Sequence, residues 1–140
     1  MTRKHILPLT YLPKIPAVLE GRCTQTIRTG WKFQVGDLVM FHGWEGRPYR
    51  SKWSFRTPYW EIQKTIDITL HPAGFEITSE SEPSVLIPWM SLTMDKIARM
   101  DGIDSLVNPG IHLRNILIRL NSFKKEWGTE MQIIRWRWTP

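Results

Sequence analysis

Between Ile62 and Leu70 the chain alternates: Ile62, Ile66, Ile68 and Leu70 fall on one parity, Gln63, Thr65, Asp67 and Thr69 on the other. Successive side chains of a strand point to opposite faces, so this spacing predicts a strand with an apolar and a polar side. Such a strand needs hydrogen-bonding partners. The candidates are Ile6–Thr10, Thr24–Arg28, Leu38–Phe41, Phe75–Ile77, Val85–Ile87 and Met131–Trp138, short runs rich in β-branched and aromatic residues. Leu38–Phe41 is apolar on both faces, as expected of a strand covered on two sides. In the last run Ile134, Trp136 and Trp138 share one face and Arg135 and Arg137 the other. Gly43 to Tyr59 shows no apolar period and reads as a loop or a barrel edge.

Three helices interrupt the strands. Lys14–Glu20 carries Pro16 in its first turn and Gly21 as its stop. Ser91 is placed to cap a helix over Leu92–Met100, with Met94, Ile97 and Ala98 on its buried side. Asn108-Pro109 opens a third, whose stripe is Leu113, Ile116, Leu117, Leu120 and Trp127. Six or seven short strands with helices grouped early and before the last strand predict an α+β fold, a small β-barrel with helices packed at its periphery. With 140 residues the chain reads as one domain over 1–140. No stretch approaches the roughly 18 apolar residues of a spanning helix, and the Pro-broken start lacks a signal peptide's apolar run. One cysteine, Cys23, excludes an internal disulfide and a multi-cysteine zinc site, which fits the reducing cytoplasm.

Charge gives the first hint of a partner. Nineteen Lys and Arg against 13 Asp and Glu leave +6, which favours polyanions, and eight Trp exceed what a core of this size needs. Both features converge on Arg47-Pro48-Tyr49-Arg50-Ser51-Lys52-Trp53-Ser54-Phe55-Arg56, four cations interleaved with three aromatics and preceded by Trp44. Single-stranded nucleic acid is held in this way, by cations along its backbone and flat rings against its bases. The competing reading puts Trp53 and Phe55 on the floor of a barrel and leaves the cations merely solvated. On these grounds Arg28, Trp44, Arg47, Tyr49, Arg50, Lys52, Trp53 and Arg56 are the nucleic-acid-binding candidates. Arg28 either clamps a phosphate or ties down its own loop through Asp37 or Asp101. His5, His42, His71 and His112 have no ligand spacing, so neither metal nor other cofactor is expected. Cys23 reads as a small buried hydrophobe.

The segment Gly21-Arg22-Cys23-Thr24-Gln25-Thr26-Ile27-Arg28, followed by Val35-Gly36-Asp37-Leu38-Val39, resembles the ASCH family of PUA-like β-barrels. That family's signature is Gly-x-Lys-x-x-x-x-Arg with a Gly-Asp turn soon after. Gly21 and Arg28 match it, while Cys23 stands at the Lys position. Ala98–Asp104 and Gln132–Trp136 resemble the family's acidic turn and closing strand. The resemblance implies RNA binding in a cleft between barrel and helices. One branch of the family deacylates N4-acetylcytidine with a Thr, a Lys and a Glu, and another cleaves RNA. Carried over by position, those roles fall on Thr26, Cys23 and Asp101, so Thr26 and Asp101 are the catalytic candidates of a rival, hydrolytic reading.

Overall fold

The structure is a computed structural model and describes residues 2–9, 12–30, 32–47, 50–78, 85–103, 109–120 and 130–140, without the side chains of 112 and 116–120. Its elements in order are β1 (Lys4–Pro8), α1 (Lys14–Leu19), β2 (Gln25–Thr29), β3 (Leu38–Trp44), β4 (Trp53–Arg56), β5 (Trp60–His71), β6 (Gly74–Ile77), β7 (Val85–Pro88), α2 (Leu92–Met100), α3 (Pro109–Leu120) and β8 (Glu130–Trp136). The fold has α+β character, but the described strands form an open mixed sheet rather than the closed barrel expected from the sequence.

The frame of the sheet is β5, the strand read from the alternation. Its first residues pair with β3, its last with β6, and its other edge runs antiparallel to β8 from Ile62↔Trp136 to Thr69↔Glu130. β8 pairs in turn with β2, β6 with β7, and β3 with β4 and, in parallel, with β1. β4 bears on the two readings of 43–59, a loop or a barrel edge: Trp53–Arg56 is a strand at the edge of the sheet. Trp53–Arg56 lacks an apolar period because the strand lies exposed at an edge, where packing imposes none.

One irregularity explains why the chain does not curl around a single core. The β5–β8 register shifts between Ile62 and Lys64, so an extra residue turns the strand over. Ile62 therefore packs with Ile134 and Trp136 in a core that also holds Val39, Phe41 and Val18. Ile66, Ile68 and Leu70 share its parity, yet they pack with Met131 and Ile133 against Met94, Ile97 and Leu113 of the helices. The ribbon β2–β8–β5 is thus buried on two faces, with α1, β1 and β3 on one and α2 and α3 on the other. Four consecutive buried residues, Met131 to Ile134, are the signature of that double cover.

The helices end where the sequence says they should. Gly21, after α1, has φ 79° and accommodates the left-handed stop. Ser91 Oγ accepts the Met94 amide at 3.1 Å, the expected N-cap, and Met94, Ile97 and Ala98 are buried. Pro109 opens α3, and Leu113 is buried. Asn108, Trp127 and Tyr49 lie outside the described residues. No helix among those described is long and apolar enough to cross a membrane.

Candidate nucleic-acid interface and buried ionic cluster

Strand alternation divides the β1–β3–β4 region into two faces. Val39 and Phe41 point into the core, so Met40, His42 and Trp44 point away from it, and the parallel register sets Ile6 opposite Met40 and Pro8 opposite His42. Across the antiparallel pair Arg56 stands opposite His42, and Trp53 opposite Trp44. The Trp53 ring stacks on the His42 imidazole with centroids 4.1 Å apart and planes at 18°, while Trp44 meets the same imidazole edge-on at 4.9 Å. Burial lowers the His42 pKa below its ordinary value, and the nearby Arg28 guanidinium pushes the same way. The stack is therefore one neutral ring under another. Trp53 stays 39% exposed, a flat surface fixed from beneath and open above.

Around this ring the cations are disposed as a field rather than as pairs. Arg47, Arg50, Lys52 and Arg56 are all exposed, and among the described residues none of them meets a carboxylate within ion-pair distance. Beside them Ser51 Oγ donates to the Arg47 carbonyl at 2.9 Å and accepts the Gly46 amide at 3.0 Å. The barrel-floor alternative fits Phe55, which packs against the core, and not Trp53.

Arg28 is placed differently from the other candidate cations. Its Nη2 donates to the Pro8 carbonyl at 2.8 Å and its guanidinium carbon lies 5.9 Å from the Phe41 ring centre, so it braces β1 against β2. Its charge also reaches the Asp101 carboxylate. Asp37 instead accepts from Arg3 and Gln34 amides and sits 2.9 Å from His5 Nε2, closing the turn before β3.

The other concentration of chemistry is buried. Lys14 of α1 puts its Nζ 3.1 Å from Asp101 Oδ2 at the end of α2, and the two side chains are 6% and 10% exposed. Asp101 Oδ1 has no hydrogen-bond partner. Burial raises the Asp101 pKa above the usual carboxylate range, against the Lys14 ammonium, the Gln25 amide and the Arg28 guanidinium. Cys23 adjoins the pair: a methyl on Gly102 would lie 3.3 Å from Lys14 Cγ and 3.5 Å from Cys23 Sγ. The thiol donates towards the Gln25 and Met100 carbonyls, and burial raises its pKa. Gln25 completes the cluster, its Nε2 donating to the Ile97 carbonyl at 3.1 Å and its Oε1 accepting from Arg135 Nε at 3.0 Å.

Asp101 thus lies in this cluster, whereas Thr26 faces the other side of β2 from Gln25. Thr26 is buried opposite Ile134, and no hydrogen bond joins its hydroxyl to Lys14 or Asp101. The sequence reading missed Lys14, His42 and Tyr59. For His42 the signal was present, since it alternates with Met40 and Trp44. For Lys14 there was none, because its partner is 87 positions away and known only once the helices are placed. Among the described residues no group of three or more His, Cys, Asp or Glu is disposed to hold a metal. Comparison with protein-family models, curated proteins and solved structures finds no match to this chain.

Proposed function

We propose that this chain is an RNA-binding protein of the ASCH, PUA-like type that holds single-stranded RNA across the β3–β4 hairpin. The observation that carries the reading is the Trp53 ring, stacked on a buried His42 and left exposed amid four cations that have no ion-pair partner among the described residues. A base stacks on the indole without sequence preference, while Arg47, Arg50, Lys52 and Arg56 follow the phosphates. The rigid backing means little ordering of the ring is needed on binding. Fluorescence anisotropy of a labelled oligouridine, titrated from ~50 to ~200 mM salt, is the test. Each phosphate contact on a single strand contributes about 0.7 to the slope of log affinity against log salt, so neutralising Arg47, Arg50 and Lys52 together to Gln should flatten it by about 2. A triple variant that keeps the wild-type slope would return the segment to a structural role.

One observation favours a second reading, hydrolysis of an N4-acetylcytidine-type nucleoside or of RNA. The resemblance calls for an amine at residue 23, and Lys14 supplies one from α1 beside Cys23, paired with Asp101. Turnover of N4-acetylcytidine lost in both Lys14→Met and Thr26→Ala, with binding of oligouridine retained, would establish it over the first reading.

A further inference from the structure

The outward face beside Trp53 is apolar where an exposed sheet face is normally polar. Ile6 is 51% exposed, Tyr59 and Trp53 39% each, and with Met40 and Arg56 they line a groove of about 480 Å³. That volume lies in the range of small-ligand sites, roughly 300–1,000 Å³. We propose that this groove seats one unpaired nucleobase of a bound RNA strand, next to the segment that grips the backbone; the inference rests on the RNA-binding reading above and adds to it a defined subsite.

The occupant follows from the lining. Two aromatic side chains, Trp53 and Tyr59, come from different segments, and Ile6 of β1 and Met40 of β3 add an aliphatic surface. A flat, apolar-faced ring satisfies such walls; an aliphatic ligand would leave their stacking capacity unused. Among the described residues no carboxylate lines the groove, and the charged one is Arg56. The Lys4 ammonium lies 5.1 Å from the centre of the Tyr59 ring, a second cation at the margin. An anionic partner with planar rings meets both demands. A second copy of this chain does not, because it would bring the same cations to the interface. Thr57 takes no part in selection, since its Oγ1 already accepts the Phe41 amide at 2.9 Å and donates to the Pro58 carbonyl at 2.8 Å. The hydrogen-bonding groups left to a base edge are Arg56 and the Trp53 indole N–H, both pure donors, and the Tyr59 hydroxyl.

Oligouridine carrying a single 2-aminopurine provides the test, because that base loses fluorescence when it stacks on an aromatic ring. Its emission and its binding, by anisotropy of an end label, are followed together in wild type, Tyr59→Leu and Trp53→Leu. Tyr59 lies outside the hairpin, so its replacement interrogates the groove alone, and both rings are exposed enough for the variants to keep their circular dichroism spectrum. The expected result is quenching on binding to wild type, lost in Tyr59→Leu with affinity reduced roughly fivefold or more. Salt-dependent binding with unchanged 2-aminopurine emission, or quenching in Tyr59→Leu equal to wild type, overturns the groove as a base seat while the binding reading stands. Absence of any salt-dependent binding overturns both. Wild-type dimerisation abolished by Tyr59→Leu, seen by sedimentation, overturns the proposal in favour of self-association.

Discussion

Replacing Lys14 by Met should destabilise the protein strongly at neutral pH and weakly in mild acid. Met keeps the length and the apolar stem of the side chain, so packing changes little and the lost charge dominates. Asp101 would then be buried with Oδ1 already lacking a partner and Oδ2 deprived of its ammonium 3.1 Å away. A carboxylate so placed escapes by taking a proton, and the free energy of that uptake sets a ceiling. With an ordinary value of 3.8, protonation at pH 7 costs about 4 kcal/mol, at roughly 1.4 kcal/mol per pH unit. At pH 5 the same ceiling is about 2 kcal/mol, again from the gap to 3.8. In the intact protein burial already outweighs the ammonium and Asp101 sits above its usual value. The native state therefore binds this proton more tightly than the unfolded chain, and the contribution of Asp101 to stability declines as pH rises from about 3.8 through the raised native value. The variant extends that decline to higher pH. Urea denaturation of wild type and Lys14→Met, compared at pH 5 and pH 7, measures the difference free of other titrations. Adding Asp101→Asn should restore most of the loss and remove its pH dependence, since a buried pair replaced on both sides is often near neutral. A loss below about 1 kcal/mol at pH 7, or one undiminished at pH 5, would show that the two groups are not a desolvated pair.

Cys23 is 1% exposed with its pKa raised by burial, so it should resist iodoacetamide in the native protein even at alkaline pH and label fully in urea, as mass spectrometry would record. Because burial lowers the His42 pKa, the unfolded chain takes up that proton first as pH falls through about 6.5; stability should fall there, and His42→Phe should lessen the slope in thermal melts across that range. Gly74→Ala would place its Cβ 1.8 Å from the Ile87 carbonyl oxygen, a backbone atom held in the β6–β7 ladder, and should destabilise by about 3 kcal/mol or more in chemical denaturation.

Local structure was readable wherever a local cause sets it. The Ser91 cap, the Gly21 stop and the alternation of β5 depend on residues a few positions apart, and each is found in place. The two cores were not readable, because the bulge between Ile62 and Lys64 leaves no break in the parity of the isoleucines. A one-sided strand and a strand that changes sides spell the same letters. Likewise the basic and aromatic segment announced itself by composition, whereas the groove beside it joins Ile6, Met40 and Tyr59 from three stretches with no shared motif. The Lys14–Asp101 pair depends on the start of α1 meeting the end of α2, which is topology and not pattern.

The place of β8 between β2 and β5 has a consequence for how the protein is made. Gln25 and Arg135, 110 positions apart, must find each other before β2 has any partner strand among those described. Until residues 130–136 have left the ribosome, β2 and the long edge of β5 are open, with Ile27, Ile66 and Ile68 uncovered and free to pair with other chains. Sheet assembly waits on synthesis, as late and distant pairing is slow to nucleate. Slower elongation just before residues 130–136, or a stalled ribosome there, would lengthen the interval in which a chain of this kind aggregates or is degraded.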